Sequence, residues 1–153
     1  MNLNFLYINC IKDIQKEKVI TNICLKAKQH ISLPEILDIE VQNFSGPNYQ
    51  REYRSVLAET VLDLRLKVNR IRVNSELSSK EIVIPLVHEL VHLNQIVEGR
   101  LSVYKNGDIL WEGKRYQLKD PKKSTYEYYQ NLPWEVDVRG RESKLLKTIL
   151  DDL

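Results

Sequence analysis

One stretch of the chain, residues 82–93, constrains both the fold and the chemistry. It reads Ile-Val-Ile-Pro-Leu-Val-His-Glu-Leu-Val-His-Leu and is apolar on nearly every side of a helix, which predicts a largely buried helix. Ser78 and Glu81 have the spacing of a capping box before this stretch, and Gly99 follows it. We therefore expect a helix that opens at Ser78 and runs to about Val97.

His88 and His92 are four residues apart, so on a helix their imidazoles project from nearly the same angle, one turn apart. Two such imidazoles can share one Zn²⁺, and Glu89 beside them can act as general base toward the metal-bound water. Buried histidines and a glutamate without partners cost free energy, which favours a metal site over two core histidines satisfied by neighbours. The HExxH motif therefore predicts a zinc hydrolase.

A third ligand has to come from elsewhere in the chain. A metzincin requires glycine at position 95 and histidine at position 98, where this chain has Gln95 and Glu98. No histidine follows His92, and His30 lies far upstream, so a carboxylate is the expected ligand. The candidates after the motif are Glu98, Glu112, Glu127, Glu135, Asp137 and Glu142.

A helix predicted from Pro133 to about Leu150 favours Glu135 among these carboxylates. Its core-facing stripe comprises Glu135, Val138, Glu142, Leu145, Leu146 and Ile149, whereas Asp137 points away. A carboxylate that points into the core needs a partner, and a metal ion can be that partner. The alternative to a metal ligand is a Glu135 that caps the helix or pairs with Arg139. Glu142 is either an acceptor that orients a ligand histidine or a rival ligand.

Hydrolysis at a carbonyl also calls for a donor to the developing oxyanion. The candidates are Tyr116, Tyr126, Tyr128, Tyr129 and Arg139. Among them, Tyr129 and Arg139 are predicted, together with Glu142, either to stabilise the transition state or to contact a metal ligand. Most of the eight tyrosines are expected to pack rather than react.

The segments before the motif predict both helices and strands. The apolar spacing over residues 11–31 predicts an amphipathic helix, and residues 36–44 alternate as a strand does before a turn at 45–48. Over residues 53–73, alternation favours two strands separated near Val68-Asn69, and a helix over 50–67 is the alternative.

After the motif, Asn106-Gly107 predicts a hairpin within residues 101–111. Glu112-Gly113 predicts a second bend into 115–118, and residues 119–125 form a predicted polar loop. This hairpin either offers an edge strand to an extended peptide or covers the core.

Length and composition indicate one domain over residues 1–153. The net charge of +2 comes from 23 basic and 21 acidic residues, a balance that gives no reason to expect nucleic acid as a partner. No apolar run reaches the roughly 20 residues of a membrane span, and no signal peptide is expected. Cys10 and Cys24 allow one disulfide, but two reduced thiols in a cytoplasmic protein are the preferred interpretation.

HExxH followed by a glutamate on a later helix resembles the gluzincin class of zinc peptidases, especially the compact minigluzincin type. The strings Trp111-Glu-Gly-Lys-Arg-Tyr116 and Leu132-Pro-Trp-Glu-Val-Asp-Val138 are similar to those of small predicted metallopeptidases of bacteria and bacteriophages. The resemblance covers roughly residues 60–150 and is strongest at HExxH. One departure is Arg139, where thermolysin-like gluzincins have an aspartate four residues after the ligand glutamate.

The resemblance implies an α+β, zincin-like fold, in which a small twisted sheet packs on the HExxH helix and on a C-terminal glutamate-bearing helix. It also implies Zn²⁺ held by His88, His92 and Glu135, and a peptide or protein substrate. The first hypothesis is therefore a zinc metallopeptidase with Glu89 as base. The alternatives are a zinc-stabilised, non-catalytic binding or regulatory protein that uses the same groove, and a DNA-associated SprT-like protease, which the modest charge disfavours.

Overall fold

The computed structural model describes residues 6–9, 13–42, 50–51, 54–55, 58–63, 68–104, 108–117 and 126–151. The helices are α1 (Ile14–His30), α2 (Val83–Val97), α3 (Tyr126–Gln130) and α4 (Pro133–Asp151). The strands are β1 (Leu6–Asn9), β2 (Leu37–Gln42), β3 (Gln50–Arg51), β4 (Arg54–Ser55), β5 (Ala58–Asp63), β6 (Val68–Asn74), β7 (Leu101–Val103), β8 (Ile109–Trp111) and β9 (Lys114–Tyr116). The predicted mixture of helix and sheet is confirmed.

A four-stranded sheet in the order β1-β2-β6-β5 forms one layer of the fold. β1, β2 and β6 are parallel, and β5 runs antiparallel to β6. Alternate residues such as Ile39 and Ile71 are fully buried on the face covered by helices, because side chains in a strand point to opposite faces in turn. On the other face, Arg70 Nε pairs with the Asp38 carboxylate at 3.0 Å.

The two-strand prediction for residues 53–73 is confirmed in β5 and β6, and the alternative of a helix over 50–67 is wrong. The predicted break near Val68-Asn69 is also wrong, since Val68 pairs with Asp63 and Asn69 with Leu62. Strand β6 begins at Val68, at the position of the predicted break. The predicted turn at 45–48 lies outside the described residues.

The amphipathic helix predicted near the N terminus is α1. Asp13 caps it by accepting a hydrogen bond from the Lys16 backbone N–H at 3.0 Å. Its buried side includes Cys24, whose thiol is free and whose pKa is raised to about 12 by burial. Cys10 lies outside the described residues.

The motif helix predicted from the capping box is α2. Ser78 N–H donates to Glu81 Oε1 at 3.0 Å, and Glu81 N–H donates to Ser78 Oγ at 3.2 Å, which confirms the box. Regular helix starts later than predicted, at Val83, after a turn. At the C-terminal end, Gly99 takes a φ of +76° and its N–H donates to the Ile96 carbonyl, a conformation that favours glycine.

α4 packs against α2 and α1 through Val138, Leu145 and Ile149, as the predicted stripe requires. A three-stranded antiparallel sheet, β7-β8-β9, confirms the predicted hairpin and its second bend, where Glu112 and Gly113 both have positive φ. Residues 105–107 and 118–125, which include the Asn106-Gly107 turn and the predicted polar loop, lie outside the described ranges. β1, the β3-β4 pair and α3 were not predicted.

A second cluster of buried residues joins this smaller sheet to the start of α4. It consists of Leu101, Trp111, Leu132 and Trp134. These contacts support the covering role of the hairpin, because its inward side chains are engaged in packing. Among the described helices, none is both long and apolar enough to cross a bilayer.

Candidate metal centre

The centre of α2 carries the three residues of the motif. Leu86, Leu90 and Leu93 are fully buried and anchor the helix in the core. The four-residue spacing places the rings of His88 and His92 with their centroids 4.9 Å apart. The helix therefore presents both imidazoles side by side, as the sequence predicted.

α4 brings Glu135 to both histidines. Its Oε2 lies 3.1 Å from His88 Nε2, and its Oε1 lies 3.0 Å from His92 Nε2. Glu135 is only 3% exposed, so both imidazoles face a buried carboxylate. Donor atoms of His88, His92 and Glu135 all lie within 4.8 Å of one another. Of the predicted carboxylates, the structure thus brings Glu135 to the two histidines.

These three residues fit a small divalent cation. Zinc forms bonds of about 2.0–2.1 Å to imidazole nitrogen and carboxylate oxygen, and two ligands in a tetrahedron of that size lie roughly 3.3 Å apart. The nitrogen-to-oxygen separations of 3.0 and 3.1 Å around Glu135 are close to that value. These two contacts involve different oxygens of Glu135, and the donor atoms of the three residues lie within 4.8 Å of one another.

A second carboxylate, Glu142, holds the far side of His88. Its Oε2 lies 2.7 Å from Nδ1, the ring nitrogen that faces away from Glu135. Glu142 follows Glu135 by two turns of α4, so both carboxylates share one face of that helix. Glu142 thus lies where an acceptor that orients His88 would be, which is one of the two roles predicted for it.

A buried amide, Gln95, holds the far side of His92. Its Oε1 lies 2.9 Å from His92 Nδ1, and its Nε2 donates to the Trp134 carbonyl and to Asp137 Oδ2, each at 2.9 Å. From the sequence, Gln95 served only to exclude a metzincin and was not predicted as a site residue. Its spacing of three residues from His92 on one helix was the available signal.

Asp137, expected to point away from the core, is instead half-buried against α2. It accepts hydrogen bonds from Gln95, Arg100 and Arg141. Burial alone would raise the pKa of Asp137, but these donors hold it below its ordinary value. The apolar stripe of α4 alone does not reveal these contacts, because Gln95 and Arg100 belong to the polar end of α2 and the residues after it.

Glu89 lies next to the cluster but outside the triad of possible ligands. It is buried, and its Oε2 accepts a hydrogen bond from the Thr60 hydroxyl on β5. Burial raises the pKa of the Glu89 carboxyl above its ordinary value, although the nearby histidines and Thr60 oppose the rise. A carboxyl with a raised pKa is suited to exchange protons near neutral pH.

Without an ion, the two imidazoles and the carboxylates around them shift one another's pKa values. Burial lowers the pKa of His88, but hydrogen bonds to Glu135 and Glu142 outweigh it and raise this pKa to about 10. The pKa of His92 is raised as well, against the effect of burial, mainly by Glu135. For Glu135, burial raises the pKa, but hydrogen bonds from both histidines hold it well below its usual range.

The remaining predicted residues lie at varied distances from this centre. Tyr129 forms a hydrogen bond with Glu135, so it contacts a predicted ligand. Arg139 is exposed on α4, and a part for it in the reaction stays a prediction. Tyr116 packs edge-on against Trp134, with ring centroids 5.2 Å apart. The other carboxylates considered as ligands, Glu98, Glu112 and Glu127, are exposed.

Comparison of the chain with protein-family models, with curated proteins and with solved structures finds no match. The arrangement of this chain's own side chains is therefore the basis for inferring its function.

Proposed function

We propose that the chain is a zinc-dependent metallopeptidase, in which His88, His92 and Glu135 hold the ion and Glu89 is the general base. The observation that carries this proposal is the convergence of three ligand atoms within 4.8 Å of one another, beside a fourth, buried acidic residue. Helix α2 supplies the two imidazoles and the base, and α4 supplies the carboxylate. A zincin-like arrangement of the fold is part of the proposal.

The donor set favours zinc among the common divalent ions. Two imidazole nitrogens and one carboxylate oxygen suit zinc better than calcium or magnesium, which prefer oxygen ligands. Three protein ligands are typical of catalytic zinc, whereas structural zinc usually has four. When bound, zinc would supply a Lewis acid that polarises the substrate carbonyl and lowers the pKa of water.

Side chains of the protein account for the proton transfers. The Glu89 carboxylate accepts a proton from the attacking water and afterwards gives it to the leaving amine. The Thr60 hydroxyl engages Oε2 of Glu89 and so restrains the orientation of the base. Glu142 and Gln95 restrain the two imidazoles through hydrogen bonds to their Nδ1 atoms.

A peptide as substrate is supported by the position of β5. Within the described ranges, β5 is the outermost strand of its sheet and pairs with β6 alone. An extended peptide can add to such an edge through backbone hydrogen bonds. Because Thr60 of β5 contacts Glu89, a peptide on this edge would pass close to the base. This strand supports peptide binding better than the 101–118 hairpin does.

The test combines metal analysis with an assay of peptide-bond cleavage. Purified protein, supplemented with zinc and freed of excess, is analysed for bound metal and incubated with a fluorogenic peptide library. We expect one zinc per chain and cleavage that a chelator abolishes. A Glu89→Gln variant should keep zinc and lose roughly 100-fold or more of its rate, the usual contribution of a general base.

The alternative, a zinc-stabilised binding protein, predicts a different outcome. Zinc would then be bound, no peptide in the library would be cleaved, and Glu89→Gln would leave partner binding unchanged. Absence of stoichiometric zinc after supplementation would contradict both interpretations. Glu81→Gln, at an exposed position before α2, serves as the matched control for replacement of a glutamate.

A further inference from the structure

The Nδ1 atoms of the two histidines contact side chains of different charge. His88 Nδ1 meets the carboxylate of Glu142, whereas His92 Nδ1 meets the neutral amide of Gln95. Gln95 is fully buried, and so its contacts are shielded from water. A buried polar side chain on the core side of a metal site is costly unless every polar group finds a partner.

The hydrogen bonds of Gln95 fix which way its amide points. Nε2 carries two protons, and it faces two acceptors, the Trp134 carbonyl and Asp137 Oδ2. Turning the amide over would place Oε1 against those two oxygens, with no proton between Oε1 and either of them. Oε1 is therefore the atom that faces His92.

The orientation of the amide in turn fixes the protonation of His92. Oε1 only accepts, so Nδ1 of His92, at 2.9 Å, has to carry a proton. When the ring gives up the proton that Nε2 shares with Glu135, its lone pair is therefore on Nε2. Asp137 is itself held by Arg100 and Arg141, which ties this arrangement to the packing of α2 on α4.

We infer that Gln95 is a positioning residue that keeps Nδ1 of His92 protonated and its Nε2 available to a metal. The inference rests on the proposed function in one respect, that the metal is held by His88, His92 and Glu135. Gln95 contacts neither substrate nor ion; it acts through His92. Loss of such an outer partner usually weakens metal binding by about 10- to 100-fold.

The test uses Gln95→Met, which keeps the length of the side chain and removes its hydrogen bonds. Zinc affinity is measured by competition with a chromophoric chelator, and ring nitrogens are observed by ¹⁵N NMR. We expect about 10- to 100-fold weaker zinc binding. We also expect faster solvent exchange of the His92 Nδ1 proton, while the His88 Nδ1 proton, held by Glu142, keeps its rate.

Asn74→Leu is the matched control, since it removes another buried amide, one at the end of β6 whose Oδ1 accepts a hydrogen bond from the Glu76 backbone N–H. It should lower the melting temperature and leave zinc affinity within about twofold. Unchanged zinc affinity and a protected His92 Nδ1 proton in Gln95→Met would overturn the inference. If the wild type binds no zinc, the proposed function fails, and proton exchange in the metal-free proteins still decides the role of Gln95.

Discussion

Nε2 of His92 and Oε1 of Glu135 lie 3.0 Å apart, joining the motif helix to the C-terminal helix through a buried contact. His88 makes the equivalent contact with Oε2 of the same carboxylate at 3.1 Å. In the absence of an ion, protons on the two imidazoles satisfy this carboxylate. Two protons and one Zn²⁺ carry the same charge, so zinc can replace the protons without leaving Glu135 unpaired.

Zinc uptake is therefore expected to release protons at neutral pH. The pKa of His88 in the metal-free protein is raised to about 10, so at neutral pH its ring holds a proton that zinc must displace, and the pKa of His92 is raised as well. Calorimetric titration in buffers of different ionisation enthalpy should show release of at least one proton at pH 7. A binding enthalpy independent of the buffer would contradict this prediction.

The same pKa shifts predict opposite effects of pH on the metal-free and zinc-loaded proteins. Because the folded-state pKa of His88 lies above its ordinary value of 6.5, its pairing stabilises the metal-free fold fully below that pH. This contribution is lost as the pH rises toward about 10. Zinc binding strengthens over the same range, because fewer protons compete. The difference in melting temperature between the two forms should widen from pH 6 to pH 9.

Replacement of the proposed third ligand should have a larger effect than replacement of an outer partner. In Glu135→Gln the amide is a poor metal ligand, and we expect zinc affinity to fall by more than the roughly 100-fold seen for outer partners. The matched control is Glu127→Gln on α3, an exposed glutamate that should leave the affinity unchanged. Equal affinities for the two variants would remove Glu135 from the ligand set.

The hydrogen bond between Thr60 and Glu89 is expected to matter for turnover and not for metal binding. Thr60→Val keeps the shape of the side chain and removes the donor, and hydrogen bonds to charged groups contribute about 1.5–3 kcal/mol. We expect kcat for peptide cleavage to fall by roughly 10-fold or more, with zinc content unchanged. Thr21→Val, at a hydroxyl bonded within α1, is the control and should retain full activity.

The burial of α2 gives a prediction about stability. Leu90 is fully buried, so Leu90→Ala should lower the free energy of unfolding by about 2–5 kcal/mol through lost burial and a cavity. Ile84 lies on the same helix and is 61% exposed, so Ile84→Ala should change stability by about 0.5 kcal/mol or less. Chemical denaturation of both variants gives the comparison, and similar losses would contradict the burial of this helix face.

The sequence predicted the parts of the site that depend on helical spacing. His88, Glu89 and His92 follow from one helix, and the inward direction of Glu135 follows from the apolar stripe of α4. Thr60 and Gln95 were not predicted as site residues, because their contacts depend on how separate elements pack. Thr60 is joined to Glu89 by the pairing of β5 with β6 and by the position of α2 against them.

Errors in the prediction have similar physical origins. Asn69 has the chemistry of a turn, but its pairing with Leu37 on β2 holds it in a strand. Asp137 lies off the apolar stripe of α4, which predicts that it points away from the core, yet two arginines and Gln95 donate hydrogen bonds to it. In each case a tertiary contact outweighed a local preference. Such a contact cannot be predicted from one segment of the sequence.

We propose that His88, His92 and Glu135 together hold one zinc ion. A crystal structure of the zinc-loaded protein, with anomalous data collected on both sides of the zinc absorption edge, locates the ion and its ligands. We expect one anomalous peak per chain, within about 2.0–2.2 Å of Nε2 of both histidines and of a Glu135 oxygen. No peak at this position, or a peak bound by other side chains, would contradict it.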